Sequence, residues 1–266
     1  MASEFPTLSS GEVEKARDAD PALAKIAVRA TPATFDWLRA SFKSDNGLKD
    51  ELKFGTAILA TPDHLDQYLY TYGLMIQSQW RNLSASLGMD GEPIRIIDYG
   101  AGQGLAGLLL SDNFGETFRN SVDAITVIEP SVCGLVRCAQ LYENLFSDAE
   151  ITCLNDMLDD VDGSRFASSN TTTLHLFSNV LDVPGFDQGA LFNKTFTNGR
   201  HMIIAVSHDR NFNGGSGRIR AIEEEMRKSS HSAWLTVHSS TISEFKCGTA
   251  GKFDAISWVA DLTVKR

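Results

Sequence analysis

Residues 94–110 read IRIIDYGAGQGLAGLLL, and few folds accommodate such a stretch. A short apolar run ends in Asp98, glycines follow at 100, 102, 104 and 107, and leucines then take over. Glycine loses more conformational freedom on folding than any other residue. A cluster of it therefore marks a sharp turn or a close approach of the backbone to another group. Between a strand-like and a helix-like run, the cluster reads as the strand-to-helix turn of an α/β fold. What it approaches is a nucleotide-type cofactor, a phosphate, or nothing beyond the turn itself.

The downstream pattern extends this reading. Short apolar runs at 94–99, 124–129, 150–154, 172–177 and 201–207 predict strands, and helical stretches separate them. In SVCGLVRCAQLYENLF, Val132, Leu135, Val136, Ala139, Tyr142 and Phe146 trace one helical face. GLAGLLLSDNFGETFRN reads as a helix and loop, and GRIRAIEEEMRKS as a later helix. The glycines, asparagines and serine of HDRNFNGGSG predict a mobile loop before it. Strand–helix alternation implies a parallel sheet covered on both faces. The last two β-rich runs, AWLTVHSSTISEF and FDAISWVADLTV, are joined only by KCGTAGK, so an antiparallel hairpin is expected. The fold class is α/β: a doubly wound, mostly parallel seven-stranded sheet with a C-terminal antiparallel hairpin.

Before residues 88–93 the pattern is helical. PALAKIAVRA (21–30) and TFDWLRASFK (34–43) are short amphipathic segments. A longer helix starts at Thr61, with Pro62 at its first position and Asp63 in its first turn. Leu65, Leu69, Tyr72, Ile76, Trp80 and Leu83 form its buried stripe, and Gly88 is its expected stop. Residues 1–90 are thus expected as an N-terminal helical cap on a Rossmann-like domain, 91–266.

Composition bounds the function. Hydrophobic residues make up 42% and charged residues 22%, as in ordinary globular proteins. No apolar run approaches the length that spans a bilayer, and MASEFPTLSSGEVEK lacks the apolar core of a secretory signal. Cys133, Cys138, Cys153 and Cys247 form no CxxC pair and no Cys/His set with zinc spacing. Reduced thiols, no structural metal, no membrane partner and a cytoplasmic location are the expectations. A net charge of −10 argues against bulk electrostatic capture of duplex nucleic acid.

Two cofactor readings share the glycines. Gly102-Gln103-Gly104-Leu105-Ala106-Gly107 (GQGLAG) is a literal GxGxxG, the dinucleotide fingerprint, and would make the chain an NAD-dependent oxidoreductase. Read one step earlier, Asp98-Tyr99-Gly100-Ala101-Gly102-Gln103-Gly104 is a DxGxGxG pattern. This second pattern resembles motif I of the class I S-adenosylmethionine-dependent methyltransferases. The acid-terminated second strand AITVIEP and the terminal hairpin are similar to that superfamily too, and the likeness in element order runs from about residue 60 to the end.

The resemblance implies S-adenosyl-L-methionine as cofactor. Its binding residues would be Asp98, Gly100, Ala101, Gly102 and Gly104 from motif I, with Glu129 and Pro130 beside the ribose. Asn155, Asp156 and Met157 would lie about the adenine, although Asn155 and Asp156 are also simply turn formers. In TTLHLFSNVLDVPGFD the loop after the fourth strand would face the transferred methyl. Ser178 then borders the cofactor, while Asn179 and Asp182 are the catalytic-side candidates, with a helix cap as the other role for Asp182. His208, at the end of HMIIAVSHDR, is the best-placed histidine for a general base, or else an ordinary surface residue. His175, inside an apolar strand, is structural. Of the tyrosines in QYLYTYG, Tyr72 belongs to the core stripe, and Tyr68 and Tyr70 point elsewhere, with pocket lining as the alternative to core packing.

The implied activity is methyl transfer. The Asn/Asp-Pro-Pro-aromatic motif of amino-group methylation and the Pro-Cys dipeptide of cytosine-C5 enzymes are both absent. A small-molecule or protein acceptor is favoured over duplex nucleic acid, and structured RNA stays open. A non-catalytic sensor or interaction module that binds S-adenosylmethionine or S-adenosylhomocysteine is the alternative outside enzymes.

Overall fold

The computed structural model describes residues 2–42, 46–88, 91–210, 215–230 and 232–266. Helices α1 (Ser10–Ala19), α2 (Pro21–Ala27), α3 (Phe35–Ser41) and α4 (Pro62–Ser84) precede the first strand. Their starts follow from local chemistry. Ser9 and Glu12 form a capping box on α1, Asp20 accepts from the Ala22 N–H at α2, and Thr61 accepts from the His64 N–H at α4. The stripe expected on α4 is buried save for Tyr72, which is half-buried. The helix does not run to Gly88. It ends at Ser84, and bonds from Ser86 to Leu83 and from Leu87 to Ser84 close it as a tight turn before any glycine is needed.

The strands are β1 (Ile94–Tyr99), β2 (Val122–Ile128), β3 (Glu150–Leu154), β4 (Thr172–Ser178), β5 (Gly199–His208), β6 (Leu235–Cys247) and β7 (Phe253–Val264). The first five lie within two residues of the expected bounds at each end. They make one sheet in the order β3-β2-β1-β4-β5-β7-β6. The first five pair in parallel, and β7 enters antiparallel between β5 and β6. No helix among the described residues is long and apolar enough to cross a membrane.

Both faces are covered, as a doubly wound sheet requires. On one face, α4, α5 (Leu105–Ser121) and α6 (Val132–Leu145) pack on Ile96, Val127, Leu174 and Ile204. On the other, α7 (Gln188–Thr195) and α8 (Gly217–Ser229) pack on Ile97, Tyr99, Phe177 and Trp258. Helix α5 is interrupted at Gly115, whose φ of 69° and ψ of −147° break the turn. The N-terminal helices share the first core: Ala22, Ile26, Phe35 and Leu38 belong to the same buried cluster as Leu108 and Leu141. Even the opening residues join the sheet, since Glu4 exchanges backbone bonds with Ile151 and Cys153 along the edge of β3. Residues 211–214 of HDRNFNGGSG, expected to be mobile, lie outside the described residues.

The strand order places a switch point at β1 and β4. From β1 the chain winds one way to β2 and β3, then crosses back to β4 and continues the other way. Connections leave these two strands in opposite directions, which opens a crevice at their carboxyl ends.

Candidate functional site

A cavity of about 210 Å³ occupies that crevice. Its floor is the turn after β1, its sides are residues 129–131, 157–159 and 178–180, and residues 183–186 close one end. Its remaining wall comes from before the sheet: residues 55–59 and Leu65, Tyr68 and Ile76 of α4.

The four glycines of the turn serve different neighbours. A Cβ on Gly100 would stand 2.5 Å from Val180 Cγ2. One on Gly104 would stand 3.0 Å from both Cys138 Sγ and the Tyr142 ring, and one on Gly107 2.6 Å from Tyr142. Gly102 alone of the four meets nothing within 4 Å, and it lines the cavity. Gly104 and Gly107 are therefore required by α6, Gly100 by the loop after β4, and Gly102 is the point where a ligand can reach the main chain.

Two acids flank this turn. The Tyr142 hydroxyl donates to Asp98 Oδ2 at 2.5 Å and accepts from the Gly107 N–H at 3.0 Å. Asp98 Oδ1 is buried without a partner. Burial pushes the Asp98 carboxyl up to about 7, Tyr142 opposes the shift, and the nearby Glu129 charge adds to it. Glu129 lines the cavity and closes the turn: Oε2 accepts from the Gly102 N–H and Oε1 from the Ser131 N–H, both at 2.8 Å. Burial raises its pKa, and these two N–H groups pull it back down.

The segment before the sheet is bonded to the loops that bound the cavity. Gln103 Nε2 donates to the Leu65 carbonyl at 2.9 Å, and the Ser131 hydroxyl donates to that of Leu59. Arg137 of α6, 1% exposed, reaches Gln103 Oε1 at 3.2 Å, Asp66 at 2.5 Å and both oxygens of Asp20 at 2.8 and 3.0 Å. Burial disfavours its charge, but Asp20 and Asp66 outweigh that and hold it protonated.

Of the residues expected at the site, Gly100, Ala101, Gly102, Glu129, Pro130, Met157, Ser178 and Asn179 line the cavity. Asp98 and Gly104 are not among the lining residues. Asn155 supports the wall from outside, its Nδ2 donating to the Glu129 and Pro130 carbonyls. Asp156 is half-buried beside the lining, where Asp159 stands instead. Ser178 and Asn179 do not offer free side chains. Trp80 Nε1 donates to Ser178 Oγ at 3.0 Å, and Gln79 and Asn179 exchange two amide bonds.

Asp182 and His208 are not among the lining residues. Asp182 is turned inward and ion-paired with Arg210 at 2.9 Å, and the cap of α7 is Asp187 rather than Asp182. His208 ends β5, beyond β4 from the glycine turn, and packs edge-on against Phe253. Burial and Arg210 lower its pKa. Tyr68 lines the cavity, and its hydroxyl has no hydrogen-bond partner among the described residues. Tyr70 is exposed, and Tyr72 packs 5.2 Å from the Tyr68 ring. His175 is structural. The Thr197 carbonyl can only accept, so His201 Nε2 donates to it and His201 Nδ1 accepts from His175 Nε2, which leaves His175 Nδ1 to accept from Tyr99. Both rings are neutral, in keeping with pKa values lowered by burial.

Tyr142, Arg137, Gln79 and Trp80 are structural partners of the site that patterning did not single out for function. Arg137 and Gln79 carried one signal: each is a polar residue on a buried helical face, which is costly without a partner.

No protein-family profile matches the chain, and no curated protein matches it. Among solved structures it is similar to phosphoethanolamine N-methyltransferase 2 of Haemonchus contortus, at 12% identity over 82% of this chain and 59% of that one, TM-score 0.47. It is also similar to an S-adenosylmethionine-dependent methyltransferase of Leishmania major, at 14% identity over 87% and 97%, TM-score 0.41. A third is magnesium protoporphyrin IX methyltransferase of Synechocystis PCC 6803, at 11% over 88% and 99%, TM-score 0.41. Identities this low and superpositions this loose leave the functional reading to the site's own residues. The arrangement of the sheet, mostly parallel with its last strands antiparallel, is the doubly wound seven-stranded one expected from the sequence.

Proposed function

We propose that this chain binds S-adenosylmethionine in the β1/β4 crevice and transfers its methyl group to a small molecule or a protein side chain. One observation carries the cofactor assignment. At the carboxyl edge, Glu129 and the open Gly102 are bonded to each other and face one cavity, and the same turn is preceded by the buried Asp98, whose Oδ1 has no partner. A buried carboxylate oxygen without a donor is costly, and the positive charge of a ligand held against this turn would favour the ionised form of Asp98. In this reading Glu129 accepts from the ribose hydroxyls with the lone pairs its two backbone donors leave free. Gly102 admits the ligand to the main chain, and Met157 and Leu158 flank the adenine. When bound, the cofactor supplies an already activated methyl group on a sulfonium. The protein's own task is then to align the acceptor and exclude water.

Ile58, Leu59, Val183, Pro184 and Phe186 give the cavity an apolar lining for the acceptor, and Tyr68 belongs to the same lining. No lysine or arginine lines the cavity among the described residues. These features suit an acceptor with an apolar body better than a phosphate-rich one, and they weaken the case for structured RNA. The dinucleotide reading loses support at Gly104. In a GxGxxG loop the second glycine lets the backbone approach the pyrophosphate, whereas Gly104 is packed against Cys138 and Tyr142. Binding without catalysis keeps one supporting observation, because Ser178, Asn179 and Asp182 are all engaged with other protein groups.

Calorimetric titration with S-adenosylhomocysteine and with NAD decides the cofactor. Binding of the first and not the second is expected, and the reverse result would overturn the assignment. Transfer of labelled methyl to small-molecule and protein fractions of a cell extract then separates an enzyme from a sensor.

A further inference from the structure

We infer that Gln79 is a positioning residue: its side-chain amide holds Asn179 in the left-handed conformation and so sets the wall of the cavity at residues 178–180. Gln79 is fully buried on α4, a hundred residues from its partner in sequence. Asn179 Nδ2 donates to Gln79 Oε1 at 2.9 Å, and Gln79 Nε2 donates to Asn179 Oδ1 at 3.2 Å. The adjacent Trp80 holds Ser178 in the same way.

The conformation being held is one that asparagine takes more readily than other residues with a side chain, but less readily than glycine. Asn179 has φ of +56°, which a residue with a side chain adopts at a cost and glycine adopts freely. Its backbone N–H is committed to the Val206 carbonyl at 2.7 Å, and its side chain ties the turn to α4. The consequence reaches the glycine turn. Val180 follows immediately, and its Cγ2 occupies the space where a Cβ of Gly100 would be. A shift of residues 178–180 therefore changes both the cavity wall and the packing on its floor. The amide pair links α4 to Asn179, Asn179 to Val180, and Val180 to Gly100.

The consequence for ligand binding rests on the cofactor reading above, so the test has one arm that does not. In the ligand-free protein, hydrogen exchange read by mass spectrometry should be faster over residues 178–183 in Gln79→Met than in the wild type, with the rest of β4 and β5 unchanged. In the second arm, Gln79→Met should weaken S-adenosylhomocysteine binding by about tenfold, the effect of losing a buried amide pair. In an Asn179→Gly background the same substitution should change affinity by less than about twofold, because glycine takes the left-handed conformation unaided. Should Gln79→Met not fold, Gln79→Glu, which keeps the bond from Asn179 Nδ2, takes its place in the same comparison. Unchanged exchange over 178–183, or an equal loss of affinity in both backgrounds, overturns the inference. If the wild type binds no S-adenosylhomocysteine, the proposed function falls, and the exchange arm alone decides the role of Gln79.

Discussion

Glu129 has two jobs in this structure, and removing it tests both. Each of its oxygens accepts one backbone N–H, from Gly102 and from Ser131, at 2.8 Å, and the residue is 7% exposed. Hydrogen bonds to a charged group are each worth about 1.5–3 kcal/mol. The buried charge itself is disfavoured, as its raised pKa shows, and that offsets part of the gain. The net cost of Glu129→Ala is then roughly 2–4 kcal/mol of stability. In a chain of this size that lowers the melting temperature by about 5–15 °C. Ligand binding loses more. The two ribose hydroxyls in the proposed complex donate to the same carboxylate, so affinity should fall by about a hundredfold or more. Glu129→Asp should lose less affinity, because the charge remains. Glu129→Gln should lose nearly as much as alanine, because its NH2 group faces one of the two backbone donors. The assay is calorimetric titration with S-adenosylhomocysteine at a temperature where circular dichroism shows each variant folded. Equal affinities of Glu129→Ala and wild type would refute the ribose assignment. An unchanged melting temperature would refute the structural half.

Asp98 predicts a pH dependence. Its folded pKa is raised from 3.8 to about 7, so between these values the native state holds a proton that the unfolded state has released. Stability of the ligand-free protein should therefore fall as pH rises through that window, and Asp98→Asn should flatten the slope in thermal melts. A ligand ammonium would favour the ionised form, so S-adenosylhomocysteine affinity should rise by about tenfold from pH 6 to pH 8 and not in Asp98→Asn. Gly107→Ala would be benign by helix propensity, but Tyr142 stands 2.6 Å from the added carbon, so a loss of about 1–3 kcal/mol by denaturant unfolding is expected. Gly102→Ala has open space and a φ of +56°, so it should cost stability only about 1 kcal/mol while weakening ligand binding far more. Asp20→Ala strips the buried Arg137 of its two-pronged partner and should cost roughly 3–5 kcal/mol, read as a lowered denaturation midpoint.

The parts of this molecule that sequence made legible are those written in local periodicity. The strands, the glycine turn and the acids at the ends of β1 and β2 depend on neighbours within a few residues, and they fall where expected. Helices α1 and α7 carry no such signal: SGEVEKARDA buries only Val13 and Ala16, and QGALFNKT is only eight residues long. The glycines were legible as a cluster but not as individuals, since a glycine against a tyrosine ring and a glycine facing a ligand leave the same letter. Only α6, which brings Tyr142 to Gly104 and Gly107, separates them. Asp182 and His208 show a related limit. Strand order puts the ends of β4 and β5 at the carboxyl edge, but the direction of each side chain is decided by Arg210 and Phe253, residues distant in the chain. The polar residues on buried helical faces mark an intermediate case. Gln79 and Arg137 lie where an unpaired polar group is expensive, so sequence could say that each is engaged. It could not say with what, because the partners lie 100 and 117 residues away. Those two residues tie the N-terminal segment to the cavity loops, and so helix α4 and residues 55–59 supply one wall of the site while Gln79, Trp80, Asp20 and Asp66 bind the elements that form the others.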